Sequence, residues 1–485
     1  MQRVRRGITF GQLLAFLAAA LPVLVGLRFA YSTVDLAYLI RAGEAMLHRP
    51  GVLRVDTFTF TAAGHAWLNQ QWGAEVLLAS LYRVGSWEGL AVVRLALVSV
   101  IFWLEFLSCR AAGASSRAAG WLTLCALFVS IDGLTLRPQL FGAASFALTL
   151  WIIAGRARRP RLLWWIPAIV LVWANVHGSF VLAPLLLGLT WLEDRRRAAS
   201  IARTELLAAA ACVAVAFVNP FGPRIWTYVA SLTTDPEIRH LIEEWQRTRP
   251  DSLMGVAFYV SVAAVVALAL IRRPRLGWPR LVALGVFFLL GFQAVRGVMW
   301  WALAAPVLIA DLFPEKAGRK DEPTPLNLAI AGIIIVLMVP LLPWFRPTYA
   351  KDTTSFSATD GLLLHAPVAL SEAVAAGTEP GSRIFVEQMW SSWFELELPD
   401  DPVFVDPRIE LFPAEVWEQY LLVLSAGEGW DEVLDRWGVD VVVVSRERSA
   451  LVSAIRGHPS WRRLAEDAHG VAFARVVPAS GDGSP

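Results

Sequence analysis

Charge is scarce in this chain: only 17% of its 485 residues are Asp, Glu, Lys or Arg, against about a quarter in an ordinary soluble domain. That shortage excludes a soluble globular protein of this length. Cysteine is scarce as well. Cys109, Cys125 and Cys212 all lie in or beside apolar stretches, and none lies in the polar C-terminal region, so no disulfide framework is implied there. There is no GxxxxGK[ST] phosphate loop, no HExxH and no paired CxxC. GWDEVLDRW is acidic but lacks the alternating ligands of a calcium loop, and no internal repeat or low-complexity tract is present. The net charge of +2 says little by itself, and no nucleic-acid partner is expected.

What is abundant is apolar surface. Hydrophobic residues make up 56% of the chain, the mean hydropathy is +0.52, and the 22 tryptophans suit rings seated at membrane–water boundaries. These features describe a polytopic α-helical membrane protein. MQRVRR followed by an apolar run resembles a signal peptide, but no small-residue cleavage pattern precedes Asp35 and more spans follow, so the run is expected to stay as a first helix.

About eleven apolar segments are long enough, or nearly so, to cross a hydrocarbon core that needs roughly 20 helical residues. They lie near 8–30, 88–108, 118–134, 138–155, 162–176, 178–192, 204–218, 253–271, 280–296, 297–313 and 326–345. With the N-terminus in the cytoplasm, every inner loop is basic: Arg3, Arg5 and Arg6; Arg110 and Arg117; Arg156, Arg158, Arg159 and Arg161; Arg195, Arg196, Arg197 and Arg203; Arg272, Arg273, Arg275 and Arg280; Lys316, Arg319 and Lys320. An odd number of spans then puts the C-terminal region outside. The expected organisation is a transmembrane region over 1–345 with a first outer loop at 31–87, a linker over 346–365, a small α/β domain over 366–478, and a tail over 479–485. RIFVEQ, PVFVDP and VDVVVVS read as its strands, and segments near 413–425, 430–437 and 447–457 have helical spacing.

The first outer loop is too polar to cross a bilayer and too aromatic for a linker. It carries Asp35, Glu44, His48, Asp56, His65, Asn69 and Glu75 beside Trp67 and Trp72. Other polar residues sit at the outer ends of the spans: Asp132 and Arg137, Asn175 and His177, Asn219, Glu243 and Glu244, and Arg296. Polar groups beside hydrocarbon are costly unless they face a cavity or a partner, so their collection on one side points to a shared outward cleft. Each has a plainer reading. Asp35 suits an N-cap on an interfacial helix whose apolar face holds Leu36, Leu39, Ile40 and Leu47. Asp56 suits a turn cap. Arg137 and Arg296 suit cations snorkelling to headgroups, or an anion site. His177, with Asn175 beside it, reads as a structural histidine or as a contact to phosphate or hydroxyl. Glu244 reads as a solvated loop charge, and Trp67, between His65 and Asn69, as part of an aromatic belt or as a stacking face for a sugar. Asp406 and Arg408 in VFVDPR suit an ion pair within the C-terminal region.

An apolar N-terminal helix, an acidic residue opening a long outer loop with interfacial helices, many spans and an outer soluble domain together resemble the GT-C class of integral-membrane glycosyltransferases. That class includes the protein O-mannosyltransferases and the arabinosyl- and aminoarabinose transferases. The set VDTFTFTAAGHAWLNQQW, LRPQLF, ANVHGSF, NPFG, EEW and VFVDPRIELF is similar to uncharacterised bacterial relatives of that class. The resemblance spans nearly the whole chain. It implies a polyprenyl-phosphate sugar donor, a glycan, lipid or protein acceptor, surrounding membrane lipids, and a place in the inner (plasma) membrane of a bacterium. By position Asp35 matches the acidic base of the class's first outer loop, where many members carry two adjacent acidic residues and this chain has Val34–Asp35. Asp56 is the second catalytic candidate. Arg137, His177, Asn175, Arg296 and Glu244 are the candidates for the phosphate, with His65, Trp67 and Glu75 as walls. The class leaves open a divalent cation, Mg or Mn, shared by Asp35 and Asp56, for which the sequence offers no third ligand. Two rivals remain: a transporter or flippase of lipid-linked sugars, and a non-enzymatic membrane scaffold.

Overall fold

In a bilayer core no water is available to peptide groups, and the helix, which bonds each interior N–H to the carbonyl four residues back, satisfies them within one segment. The computed structural model describes residues 7–234, 243–272, 276–315, 321–349 and 361–476. It has a helix at each of the expected apolar segments. Arg3, Arg5, Arg6, Arg273, Arg275, Lys316, Arg319, Lys320 and the 479–485 tail lie outside the described residues, as does most of the 346–365 linker.

The chain divides into two compact units, one of Met1–Arg28 and Glu88–Arg346, the other of Phe29–Trp87 and Pro347–Pro485. In the helical unit, α1 (Phe10–Arg28) packs on the helix Ser116–Val129 at Gly120, where a Cβ would come within 2.5 Å of the Leu14 Cβ. Small residues at such crossings let apolar helices approach closely where no hydrophobic driving force assembles them. Among the described residues four helices are long and apolar enough to cross a membrane by length and composition, Phe10–Arg28, Trp72–Ala111, Leu253–Ile271 and Val295–Leu312.

One end of this unit holds a connected set of ion pairs. Arg156 meets Asp194 at 2.7 Å, Glu205 at 2.9 Å and Glu193 at 3.4 Å, while Arg280 meets Glu193 at 2.8 Å and Asp311 at 2.6 Å. These residues follow the helix Pro138–Ala154, end the helix Leu182–Arg196, begin the helices Ala202–Val215 and Trp278–Gln293, and follow the helix Val298–Ile309. The other ends of several of the same helices carry Arg137, His177 and Arg296.

In the second unit the first loop and the C-terminal segment share one core. Phe58 and Trp67 pack with Phe385, Phe404, Trp417, Tyr420 and Phe473. α2 (Thr33–His48) follows β1 (Tyr31–Ser32), which pairs in parallel with β2 (Leu363–Leu364). Gly43 lets α2 lie against the next helical segment, since a Cβ there would fall 2.1 Å from the Glu75 carbonyl oxygen. That segment begins at Trp72 and breaks at Ser86, whose φ of 51° lies in the left-handed region, before the apolar run resumes. The central sheet runs β3 (Ile384–Val386), β4 (Val441–Ser445), β6 (Gly470–Arg475), β5 (Trp461–Glu466), with β3 and β4 parallel and the other pairs antiparallel. All five residues of β4 are buried, which suits its unbroken apolar run. Val403 bridges both Ile384 and Thr59, so the loop's Phe58–Phe60 continues the β3 edge. PVFVDP thus supplies a single bridging residue where a strand was expected. Helices at Ala414–Leu424, Trp430–Arg436 and Ser449–Gly457 match the expected segments. In the structure the loop and the α/β region belong to one compact unit.

Candidate functional site

Two groups of candidate residues stand out, one in each unit. In the helical unit, Arg137 sits immediately before the helix Pro138–Ala154, because the following proline favours an extended residue there and starts the helix. Its guanidinium pairs with Glu244 from the short turn Glu243–Trp245. Arg296, in the turn between two apolar helices, reaches the same carboxylate at 3.7 Å and lies 4.6 Å from the centre of the Trp245 ring. Gln139 locks Arg296 in place, accepting from its guanidinium at 3.3 Å and donating to its carbonyl at 3.2 Å. Burial opposes the charge on Glu244, but Arg137 and Arg296 outweigh it and hold its carboxyl below the ordinary range.

His177 begins the turn Gly178–Val181 and feels the Arg296 charge. Its Nδ1 accepts from the Ser179 backbone N–H at 3.2 Å and lies 2.7 Å from Ser179 Oγ, which accepts from Trp173 Nε1 at 3.0 Å. An N–H can only donate, so Nδ1 carries a lone pair and the neutral ring bears its hydrogen on Nε2. Burial and then the Arg296 charge push this imidazole down to about 3, so it stays neutral. The site therefore holds two permanent cations and an uncharged N–H donor around one exchangeable carboxylate, a set suited to a phosphate. Asn175 is placed differently: its amide donates to the carbonyls of Leu171 and Val218 at 2.9 and 3.1 Å, tying two helix ends.

In the second unit Asp35 lies in the first turn of α2, half-buried. The N-cap is Ser32, whose side chain accepts from the Val34 N–H at 3.3 Å, so Asp35 is not the cap. Asp35 shares a helical face with Tyr38, three residues on. Burial, followed by Asp35, Glu75 and Glu410, keeps the Tyr38 phenol well above its ordinary range, and Arg408 works against them.

Asp56 is 1% exposed. One carboxylate oxygen accepts from the Phe58 N–H at 3.3 Å and from Arg408 at 2.6 Å; the other accepts from the Thr59 N–H at 3.1 Å and the Thr59 hydroxyl at 2.7 Å. Arg408 also pairs with Asp406 and lies over the rings of Trp67, Phe58 and Tyr38 at 4.5, 4.9 and 5.9 Å. Trp67 is thus one wall of a guanidinium cage. His65 Nδ1 lies 3.4 Å from the Leu411 carbonyl oxygen, and buried Glu75 accepts from Asn69 at 2.6 Å. Held by four donors, Asp56 is placed to order the loop, and acting as a second catalytic group would require those bonds to open. The same occupancy does not fit a metal ligand. Among the described residues no group of three or more His, Cys, Asp or Glu is arranged to hold a metal.

Sequence reasoning passed over Gln139, Ser179, Trp173 and Ser32. The last had a signal, since Ser32 followed three residues later by Asp35 has capping-box spacing. The others become legible only when separate helices are brought together.

No known family profile matches the chain, and no curated protein matches it by sequence. Solved structures do. The oligosaccharyltransferase of Archaeoglobus fulgidus matches with a TM-score of 0.54 at 12% identity, covering 89% of this chain and 70% of that one. ArnT of Cupriavidus metallidurans matches with a TM-score of 0.52 at 15% identity, covering 96% of this chain and 98% of that one. The likeness is one of fold: this chain has the GT-C fold that these two structures share.

Proposed function

We propose that this GT-C-fold chain is a membrane glycosyltransferase that moves a sugar from a polyprenyl-phosphate donor to an acceptor hydroxyl at the extracytoplasmic face. The observation that carries the reading is the convergence of Arg137, Arg296, Glu244, Trp245 and His177 from separate loops on one end of the helical unit. In the reaction, Asp35 takes the proton of the acceptor hydroxyl. The freed oxygen attacks the anomeric carbon, the bond from that carbon to the phosphate oxygen breaks, and its electron pair leaves on the phosphate. The sugar is inverted. A carboxylate within hydrogen-bond reach of the hydroxyl is the minimum the first step needs. Arg137 and Arg296 neutralise the charge developing on the leaving phosphate, His177 Nε2–H donates to it, and Glu244 gives up its contacts as the phosphate arrives. Indole and guanidinium stacking holds Arg296 rigid, so little reorganisation accompanies the step. No step is assigned to a metal.

The test is the purified full-length protein with polyprenyl-phosphate hexoses and pentoses, followed by release of the free polyprenyl phosphate. Wild-type protein is expected to consume a donor, and Asp35→Asn to lose on the order of 10²–10⁴-fold in turnover with folding intact. Equal turnover by Asp35→Asn sinks the base assignment. Movement of intact donor across a reconstituted vesicle without its consumption sinks the transferase reading in favour of transport.

A further inference from the structure

Helix α2 needs one cap at its N-terminus, and Ser32 supplies it. The residues just before Asp35 nevertheless carry much more. Tyr31 donates its N–H to the Leu362 carbonyl at 2.6 Å within the β1–β2 pair. Ser32 Oγ is hydrogen-bonded to His365 Nδ1 at 3.1 Å. The buried Thr33 hydroxyl lies between two acceptors, the carbonyl oxygens of Leu364 at 3.0 Å and His365 at 2.7 Å. Ser392 Oγ donates to the Val34 carbonyl. Four consecutive residues are therefore gripped by two segments more than 320 positions away in sequence, and the fifth is the carboxylate.

The grip is itself built under constraint. His365 is fully buried and adopts φ +61°, in the left-handed region that a side chain with a Cβ rarely occupies. Such a backbone persists where the surroundings over-determine it, and it gathers at functional sites. That conformation accompanies an imidazole directed at Ser32 and a carbonyl directed at Thr33. Ser392 is equally buried, on a helix (Gln388–Glu397) packed directly on α2 and flanked by the buried Trp390 and Trp393. Its hydroxyl serves a carbonyl that the helical pattern already provides with a partner, so satisfying a buried acceptor does not by itself call for it.

We infer that His365 and Ser392 are positioning residues that fix the place and direction of the Asp35 carboxylate, which gives the C-terminal segment a direct part in turnover. The inference rests on the reading of Asp35 as the base. A rigid mount matters because a carboxylate misplaced by about 1 Å costs on the order of 10²-fold in rate. It also gives the shared unit of the loop and the C-terminal segment a role, since the residues leading into α2 are held from the far end of the chain.

The experiment uses full-length protein and the same donor-consumption assay. Ser392→Ala and His365→Ala are expected to lower kcat by about tenfold with KM for the donor unchanged, the signature of an interaction felt in the reacting step. Ser392→Thr restores the hydroxyl, and His365→Asn restores a polar atom near Nδ1 on a residue that tolerates φ above zero. Both are expected to recover most of the rate. Thermal unfolding is read alongside. Wild-type kcat in both alanine variants overturns the inference. So does a kcat loss that follows the fall in Tm and is not recovered by Thr and Asn. Asp35→Asn is measured in parallel. If it is inactive while Ser392→Ala and His365→Ala are normal, only the positioning role fails; if it too is normal, the base assignment has failed.

Discussion

Arg408 and Arg137 are both guanidiniums paired with carboxylates, and they differ in what surrounds the pair. Arg408 is 2% exposed, its partners Asp56 and Asp406 are fully buried, and three aromatic rings enclose it. Arg137 and Arg296 are each 26% exposed and share Glu244, itself 39% exposed. A desolvated pair of the first kind resists exchange because removing either partner strands a charge in the interior. A half-exposed pair of the second kind gains little from its own attraction and gives it up readily to a stronger anion. The first kind of arginine serves the fold and the second is the kind we propose for a phosphate, although a sequence shows the two as the same letter.

The sharpest way to break this contrast is to truncate the buried cation. Arg408→Leu leaves Asp56 and Asp406 without it, and breaking a buried pair costs about 3–5 kcal/mol. The expected result is a large fall in Tm or loss of the monodisperse folded protein, with donor affinity of whatever folds unchanged. A variant with normal Tm and impaired donor binding would place Arg408 in the other class.

Arg137→Gln tests the exposed side of the comparison. Stability is expected to move little, because the pair is half-solvated. Donor affinity is expected to fall about tenfold to a hundredfold, the range for one lost charge-assisted hydrogen bond of roughly 1.5–3 kcal/mol. Glu244→Gln removes the competing charge and is expected to shift affinity the opposite way by a few-fold. Binding of a labelled polyprenyl phosphate measures both. If the two variants weaken binding alike, Glu244 is a ligand contact and not a carboxylate that a phosphate displaces.

Much of the architecture was legible in the chain because helices in a membrane advertise themselves by length and hydropathy. The eleven apolar segments each have their helix, and Arg137, Glu244 and Arg296 were already grouped by loop side before any of them was seen in contact. Two features were hidden for physical reasons. Asp56, Glu75 and Trp67 look like site residues in a loop, since polar and aromatic letters carry no mark of burial; the partners that bury or bond Asp56 and Trp67, Arg408 and Phe404 among them, lie more than 300 residues away. The break at Ser86 was hidden likewise, because a single residue with positive φ leaves hydropathy unchanged. Ser32, by contrast, was readable from its spacing to Asp35.

The smallest expected effect concerns Glu75, which belongs with the buried class although, among the described residues, no cation pairs with it directly. It lies in the helical segment before the Ser86 break, ahead of the apolar run, with Asn69 as its hydrogen-bond donor. Burial raises its carboxyl from 4.5 to about 8, against the opposing pull of the Asn69 hydrogen bond and of Arg408. The sign of the consequence follows from linkage. Between those two values the folded chain holds a proton that the unfolded chain has released, so this group's contribution is fully present below 4.5 and is lost as pH rises through about 8. Tm of the wild-type protein is therefore expected to decline across that window. Glu75→Gln keeps an acceptor for Asn69 and carries no titratable proton, so its Tm should be flatter by a few degrees between the two ends. Parallel Tm–pH curves for the two proteins would show that Glu75 is ionised in the fold, compensated by Arg408, and would move it from a neutral packing group to a member of the Arg408 charge cluster.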